Sequence, residues 1–408
     1  MSEKRSPAVG FIFITLLIDV IGFGILIPVI PSLIEHLTGN PDISYSSRVG
    51  GWLTFTFAIM QFLFSPVLGS LSDRFGRRPV LLFSLFGFGV DYLLLSFAPS
   101  IAWLFLGRAI AGITGASFTT ASAYIADIST AENRAKNFGM MGAAFGMGFI
   151  IGPVLGGFLG ELGERVPFWV AAGLAFTNWL YGYFVLPESL APSNRRAFDW
   201  KRANPIGSLL QLRKYPAVIG LVGSFVLIYL AAHAVNSNWS FFAIEKFHWS
   251  KKMIGISLGV VGVLVATVQG GLVRIVNPKI GNERSVYLGL SLYALGLLCF
   301  ALAGSTWVMF ASLIPYCLGG ITGPALQSII TGHVPANEQG ELQGSLTSLI
   351  SATTIVGPPM MTGLFSYFIS PAAPVYFPGV SFLLGFLLML ASAIWAYISL
   401  KKEKYRAG

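Results

Sequence analysis

The stretch GMGFIIGPVLGGFLG, residues 146–160, places six glycines and one proline in an apolar run that has the length of a helix. Four of the glycines recur at every fourth residue: Gly148, Gly152, Gly156 and Gly160. They share one face of a helix, and this face carries no side chains, so a second backbone can approach it closely. Pro153 removes a backbone hydrogen bond and bends the helix. The stretch predicts a bent helix whose glycine face serves either ordinary tight packing or a contact that seals and reopens.

The composition of the whole chain indicates a membrane protein. Hydrophobic residues make up 54% of its 408 residues and charged residues only 11%, with a mean hydropathy of +0.72. Soluble chains carry about 25% charged residues. This chain therefore has too few charges to cover a surface in contact with water. Cys299 and Cys317 both fall inside apolar runs, so we expect no disulfide framework.

Apolar runs long enough to cross about 30 Å of hydrocarbon recur along the whole length. We predict twelve helices, numbered 1 to 12, at residues 9–36, 48–71, 79–98, 101–126, 136–160, 166–187, 215–242, 252–276, 284–304, 306–331, 339–369 and 373–399.

Lys and Arg residues predict the orientation. Twenty of the 26 lie in the N-terminal stub, in loops that follow even-numbered helices, or in the C-terminal tail. The positive-inside rule places this side in the cytoplasm. We therefore expect a multi-pass protein of the plasma membrane with both termini cytoplasmic. The net charge of +9 then reflects topology and contact with anionic lipids, and we expect no nucleic-acid partner.

Two sequence matches indicate that the second half of the chain repeats the first. The tetrapeptide GITG at Gly112–Gly115 recurs 208 residues later at Gly320–Gly323. The pair Gly152-Pro153 recurs 205 residues later as Gly357-Pro358. Two matches in the same order at nearly the same offset favour an internal duplication.

The predicted fold is an all-α membrane protein with twelve transmembrane helices in two pseudo-symmetric six-helix bundles. We assign the N-terminal bundle to residues 1–187, a polar and basic cytoplasmic linker to 188–214, and the C-terminal bundle to 215–408. Duplicated bundles with a binding site between them are typical of secondary transporters.

Three motifs carry a resemblance to a known family. GMGFIIGPVLGG, from residue 146, resembles the antiporter motif of drug:proton antiporters in the major facilitator superfamily. GSLSDRFGRRPVLL (69–82) resembles the superfamily's helix 2–3 loop signature, and LFLGRAIAGITGA (104–116) its helix 4 arginine motif. With LLIDVIGFGILIPVIP and VDYLLLSFA, the first half is similar to the tetracycline-efflux branch. The resemblance implies the major facilitator fold and an antiporter motif at Gly148, Gly152, Pro153, Gly156 and Gly157.

The helix 2–3 loop also has a physical interpretation. Gly76 permits a tight turn, and Pro79 stands where a first helical residue needs no amide donor. Topology alone would explain the arginines of this loop. The resemblance makes Asp73 a latch partner for the cytoplasmic end of helix 11, and Asp127 is the nearest acidic partner for Arg77. The predicted conformational latch comprises Gly69, Asp73, Arg74, Gly76, Arg77, Arg78 and Asp127.

Asp19 is the ionisable residue that lies deepest in a predicted helix. It stands about ten residues into helix 1, roughly 15 Å along the axis. An ionisable group at this depth costs several kcal/mol unless it is paired or faces water. Asp19 either hydrogen-bonds a neighbouring helix or carries the coupled proton, because burial favours the neutral form of a carboxyl group. In the tetracycline-efflux family the matching aspartate is required for function.

Asp91 and Arg108 are predicted to lie at equal depth on antiparallel helices. Each is seven residues from the outer end of its helix, roughly 10 Å below the membrane boundary. We hypothesise an ion pair, or an Arg108 that senses protonation of Asp91. A static buried pair without a transport role is the alternative.

The second half departs from the tetracycline-efflux branch. That branch has an acid in helix 9 and a histidine in helix 8, where this chain has Tyr293 and Val265. No Asp or Glu lies deep in a second-half helix. Packing or lipid contact would also explain the polar and aromatic candidates that remain. The predicted substrate cavity comprises His233, Asn236, Gln269, Gln327, Phe145 and Met147.

These observations favour a proton-coupled antiporter that exports small organic compounds by alternating access. A symporter that imports a nutrient is the alternative, and the helix 5 motif argues against it. An enzyme would need a cluster of His, Ser, Cys or metal ligands at one depth, and the sequence has none. The expected partners are a small-molecule substrate, protons and membrane lipids, with no cofactor or metal, and the expected state is a monomer. The Tyr293 position makes metal-chelated tetracycline a less expected substrate.

Overall fold

The computed structural model describes residues 6–115, 117–130, 133–196, 198, 216–334 and 339–407, and all regular secondary structure in these ranges is helical. The helices are α1 (Ser6–Leu26, continued by Ile30–Thr38), α2 (Ile43–Phe75), α3 (Arg77–Phe97), α4 (Ile101–Thr114 and Ser117–Ile128), α5 (Arg134–Leu162), α6 (Val166–Val185), α7 (Pro216–Phe247), α8 (Lys251–Thr267, Val268–Leu272 and Val273–Ile280), α9 (Asn282–Leu302), α10 (Thr306–Leu318, Gly319–Ile321 and Thr322–Gly332), α11 (Gln339–Ile369) and α12 (Val380–Ala407).

The twelve helices expected from hydropathy are all present in the described ranges, and the all-α membrane fold is confirmed. Ten of them are long and apolar enough to cross a bilayer by themselves. The other two, α6 and α11, are rich in Trp and Tyr or in Ser and Thr. The α11 hydroxyls bond carbonyl groups of their own helix, as Thr347 does to Gln343 and Thr362 to Pro358, both at 2.9 Å. Such bonds make hydroxyl groups tolerable inside a membrane.

Large apolar side chains remain on the surface of the helices. Trp307, Phe184 and Leu162 keep 84%, 79% and 75% of their surface exposed. In water this exposure would be unfavourable, whereas in lipid it is expected. Most of the predicted linker lies outside the described residues, as do the first five residues with Lys4 and Arg5.

Equivalent helices pack in the same pairs in both halves of the sequence. In the first half α1 packs on α5, α3 on α6 and α3 on α4; in the second half α7 packs on α11, α9 on α12 and α9 on α10. The match extends to single residues. Gly87 of α3 faces Thr114 of α4, and Gly289 of α9 faces Thr322 of α10. These paired contacts are what an internal duplication predicts.

Contacts group the described residues into two compact units. The first unit lies within residues 1–41, 56–204 and 249–262, and the second within 42–55, 205–248 and 263–408. Each unit therefore contains one segment from the other half of the sequence. The start of α2 belongs to the second unit and the start of α8 to the first.

Candidate functional site

Asp19 lies where α1 meets the break in α4. The first segment of α4 ends at Thr114 and the second begins at Ser117, whose hydroxyl donates a hydrogen bond to the Asp19 carboxylate. The other carboxylate oxygen, Oδ2, is buried and has no hydrogen-bond partner among the described residues. A buried carboxylate oxygen without a partner is costly when charged and less so when protonated. This environment is suited to a group that binds and releases a proton.

Tyr92 of α3 is the third member of this cluster. Its side chain lies close enough to Asp19 for an electrostatic interaction. Gly22, one turn after Asp19 in α1, makes room for it, because a Cβ built on Gly22 would lie 2.5 Å from the Tyr92 hydroxyl oxygen. Three helices of the first unit thus meet at one partly buried carboxylate.

Asp91 and Arg108 form a buried ion pair between α3 and α4. Gly107 allows this approach, since a Cβ on it would lie 2.6 Å from Asp91 Oδ1. The Arg108 guanidinium also stands 5.9 Å from the centre of the Phe57 ring in α2. Asp91 Oδ1 and Arg108 Nε have no hydrogen-bond partner in the described part of the chain. The pair neutralises its own charges while leaving hydrogen-bonding capacity unused.

The α2–α3 loop is centred on Arg77. Its NH1 group donates to Ser72 Oγ at 2.6 Å and to Asp73 Oδ1 at 2.5 Å, and its Nε donates to Asp127 Oδ2 at 3.1 Å. Asp127 lies at the end of α4, so Arg77 joins three helix ends. In this structure the predicted latch residue Asp73 is bonded to Arg77 within its own unit.

Glu188, which the sequence did not suggest, closes the start of α3. Its carboxylate accepts hydrogen bonds from the backbone amides of Arg77 at 2.8 Å and Arg78 at 3.2 Å. Gly76 has φ +110°, and a Cβ there would collide with the Glu188 carboxylate. A carboxylate at a helix N-terminus satisfies free amides and interacts favourably with the helix dipole. Gly69 and Arg74 make no comparable contact: a Cβ on Gly69 would meet open space, and Arg74 lies over the Phe75 ring at 5.0 Å.

The glycine face of α5 packs against α1. A Cβ on Gly148 would lie 2.7 Å from Val20 Cβ, and one on Gly152 would lie 2.7 Å from the Ile21 carbonyl oxygen. A Cβ on Gly156 would lie closer still to the Ile25 carbonyl oxygen. Gly148, Gly152 and Gly156 of the opening stretch therefore serve packing between two helices of the first half, whereas the fourth glycine, Gly160, also meets Lys251 of α8.

Gly157, one position off that face, approaches α8 instead. A Cβ on Gly157 would lie 2.6 Å from the Lys251 carbonyl oxygen and 3.1 Å from Gly255 Cα. Lys251 Nζ donates to the Gly160 carbonyl oxygen at 3.2 Å, and the Lys252 amide donates to Glu161 Oε1 at 3.1 Å. The motif thus brings the end of α5 onto the start of α8, from the other half of the sequence.

A matching contact in the second unit joins the start of α2 to the end of α11. Ser44 Oγ and Ser366 Oγ are 2.8 Å apart, and the Arg48 NH2 group donates to Ser366 Oγ at 3.1 Å. Gly51 faces Thr362 so closely that a Cβ could not be accommodated. Small and hydroxyl residues therefore hold these two helix ends together.

The surroundings of the predicted cavity residues differ from one to the next. His233 is buried with its ring against Gly357, and Gln327 donates to Gln343 Oε1 at 3.1 Å. Asn236 and Gln269 are exposed, and Gln269 lies in the π-helical segment of α8. Phe145 and Met147 are both 44% exposed, and Phe145 stacks on Phe149 with ring centres 5.4 Å apart.

Sequence reasoning missed Ser117 and Tyr92, which are neighbours of Asp19, and Gln61, which contacts the break in α4. Gln61 Nε2 donates to the Gly115 carbonyl oxygen at 3.0 Å, where the break in α4 leaves this oxygen available. The sequence could have indicated Gln61, because it is a lone Gln within the apolar α2 run. Ser and Tyr are common in membrane helices, so the sequence did not distinguish Ser117 and Tyr92 from other residues of these types.

Known proteins are similar to this chain in sequence and in fold. The profile described as Major Facilitator Superfamily matches residues 12–358. The chain is 39% identical over 363 residues to the class C tetracycline resistance protein of Escherichia coli, covering 89% of this chain and 91% of that protein. It is 29% identical over 384 residues to multidrug resistance protein 2 of Bacillus subtilis (strain 168), covering 92% of this chain and 93% of that protein.

Among solved structures, a D-xylose–proton symporter matches with a TM-score of 0.74 at 16% identity, covering 95% of this chain and 97% of that chain. The twelve helices, their repeated packing and a family profile over most of the sequence lead to one assignment. The chain belongs to the major facilitator superfamily of membrane transporters.

Proposed function

We propose that this transporter is a proton-coupled antiporter that exports small organic compounds by alternating access. The observation that carries the proposal is Asp19, a partly buried residue at the meeting point of α1, α3 and α4. One of its carboxylate oxygens is hydrogen-bonded, and the other is buried without a partner among the described residues. Ionisable groups inside a membrane are expensive and mark ion pathways or proton relays. The similarity to tetracycline and multidrug resistance proteins supports export as the direction and drug-like compounds as cargo.

The coupling scheme follows from the charge of Asp19. A proton that arrives from outside neutralises Asp19 and makes its burial favourable, which stabilises the conformation that closes around it. Release of the proton to the cytoplasm restores the charge and favours the return step. Substrate that binds from the cytoplasm after this release and moves outward in the return step gives antiport. Asp91 is neutralised by Arg108, so we assign one cycling proton to Asp19.

The remaining elements of the proposal concern topology and conformational change. We propose an N-terminal bundle at residues 1–187, a cytoplasmic linker at 188–214 and a C-terminal bundle at 215–408, in the plasma membrane with both termini cytoplasmic. With this orientation the α5–α8 and α2–α11 contacts lie on the outer side and form when that side closes. The Arg77 cluster lies on the cytoplasmic side, where Asp73 exchanges partners as the latch. We expect a monomer in contact with lipids.

An importing symporter is the second candidate. The match to a D-xylose–proton symporter shows that the fold itself serves both directions of transport. The antiporter motif and the resistance relatives favour export.

Expression of the protein in an efflux-deficient bacterial host should lower ethidium accumulation, and an ionophore that removes the pH gradient should restore it. Intracellular ethidium fluorescence measures this directly. The same host with an empty vector is the control. Unchanged accumulation of ethidium and of a panel of antibiotics, with increased uptake of a nutrient, would contradict export.

A further inference from the structure

The internal repeat identifies what replaces the buried ion pair in the second half. The 208-residue offset between the GITG motifs makes Tyr316 the counterpart of Arg108. The equivalent contacts Gly87–Thr114 and Gly289–Thr322 make Tyr293 the counterpart of Asp91. Tyr293 and Tyr316 are in ring contact, with centres 5.2 Å apart and planes at 74°. An aromatic pair thus occupies the place of the first half's salt bridge.

The backbone is shaped for the Tyr293 ring. A Cβ on Gly319 of α10 would lie 2.9 Å from Tyr293 Cδ1 and closer still to other atoms of the ring. The equivalent first-half residue is Ala111. Gly296 likewise allows α9 to approach the backbone of Tyr316, because a Cβ on Gly296 would lie 2.7 Å from Tyr316 Cα. The aromatic pair therefore depends on two glycines that remove steric obstacles.

A third phenol from α7 extends this pair. Tyr229 lies close enough to Tyr293 for an electrostatic interaction, and its own ring packs on Phe225 with centres 4.7 Å apart. Tyr229 and Tyr293 are partly exposed, whereas Tyr316 is 9% exposed. The neighbours that act electrostatically on Tyr293 are Tyr229 and Cys317, both uncharged side chains. Three helices of the second unit thus present phenol rings and hydroxyls without a fixed charge.

We propose that Tyr229, Tyr293 and Tyr316 form an aromatic substrate-binding site for planar aromatic compounds that carry a delocalised positive charge. The inference rests on the proposed export function and names the class of compound. Ring faces attract cations through their quadrupole and also bind flat apolar surfaces. A metal-chelated ligand would need carboxylate or imidazole groups to hold its metal, and the three tyrosines supply neither.

The test is equilibrium binding of ethidium to the purified full-length protein, without a proton gradient. Tyr293→Leu and Tyr229→Leu should each weaken binding by about three- to tenfold, the range expected for loss of one cation–π contact. Tyr293→Phe should stay within about twofold of wild type, because it keeps the ring. Tyr397→Leu on α12, where the tyrosine is 53% exposed, is the matched control and should not change binding.

Neutral phenanthridine, the uncharged parent of ethidium, separates charge from ring surface. Its affinity should fall less than that of ethidium in the Leu variants. Wild-type protein that does not bind ethidium, Leu variants that bind it normally, or equal losses for both compounds would overturn the inference. Ring-dependent binding without proton-driven export would instead overturn the proposed antiport and leave the aromatic site intact.

Discussion

Asp19→Asn should abolish proton-driven export completely while leaving substrate affinity within about twofold of wild type. Asn keeps the size of Asp and can still bond Ser117, but it cannot take up a proton at neutral pH. The aromatic site lies in the other unit, so binding should survive. Uptake into proteoliposomes with an acidic lumen should fall to the level of protein-free liposomes, measured beside equilibrium binding on the same preparation.

Glu35→Gln is the matched control for Asp19→Asn. Glu35 lies on the same helix, is exposed, and loses the same charge when replaced. Its variant should transport normally. Gradient-dependent accumulation by Asp19→Asn would remove Asp19 from the coupling scheme.

Gly157→Leu should reduce transport by at least about fivefold through the α5–α8 contact. The Lys251 carbonyl oxygen and Gly255 leave no room for a side chain at Gly157. Forcing a side chain into a well-packed contact costs about 1–3 kcal/mol, which corresponds to roughly 5- to 150-fold in a conformational equilibrium. The conformation that contains this contact should therefore lose most of its population.

Gly142→Leu tests whether the effect is specific. Gly142 lies on the same helix, is exposed, and a Cβ there would meet open space. Its replacement should be neutral, because Leu is the better helix former. Cysteine probes placed at the outer ends of α2 and α11 should be labelled faster in Gly157→Leu and unchanged in Gly142→Leu. Unchanged labelling in both would show that the α5–α8 contact does not control accessibility.

The sequence predicted the features that have a high energetic cost. Hydropathy identified the twelve helices, because hydrocarbon excludes polar backbone and side chains over a fixed length. Asp19, Asp91 and Arg108 stood out because ionisable groups in such runs are rare. Counting residues from the helix ends predicted that Asp91 and Arg108 lie at the same depth, and the structure shows them paired.

The features that depend on tertiary contacts could not be predicted. Spacing showed that the α5 glycines meet a close neighbour, but it could not say that α1 is this neighbour for Gly148, Gly152 and Gly156. Nor could it say that Gly157 and Gly160 meet α8. No proline in the sequence indicates the break in α4 that brings Ser117 to Asp19. Glu188 reaches the start of α3 only through the folded α6–linker turn. Such partners are chosen by packing between segments that are distant in sequence.

The central claim is that protons and substrate move in opposite directions through a step that requires Asp19. Proteoliposomes with a luminal pH dye, clamped potential and no initial pH gradient test it most directly. When ethidium is added outside and enters down its gradient, antiport predicts that protons leave and the lumen becomes alkaline, with no change for Asp19→Asn. An acidified lumen would show symport, and alkalinisation that persists in Asp19→Asn would show that another group carries the proton.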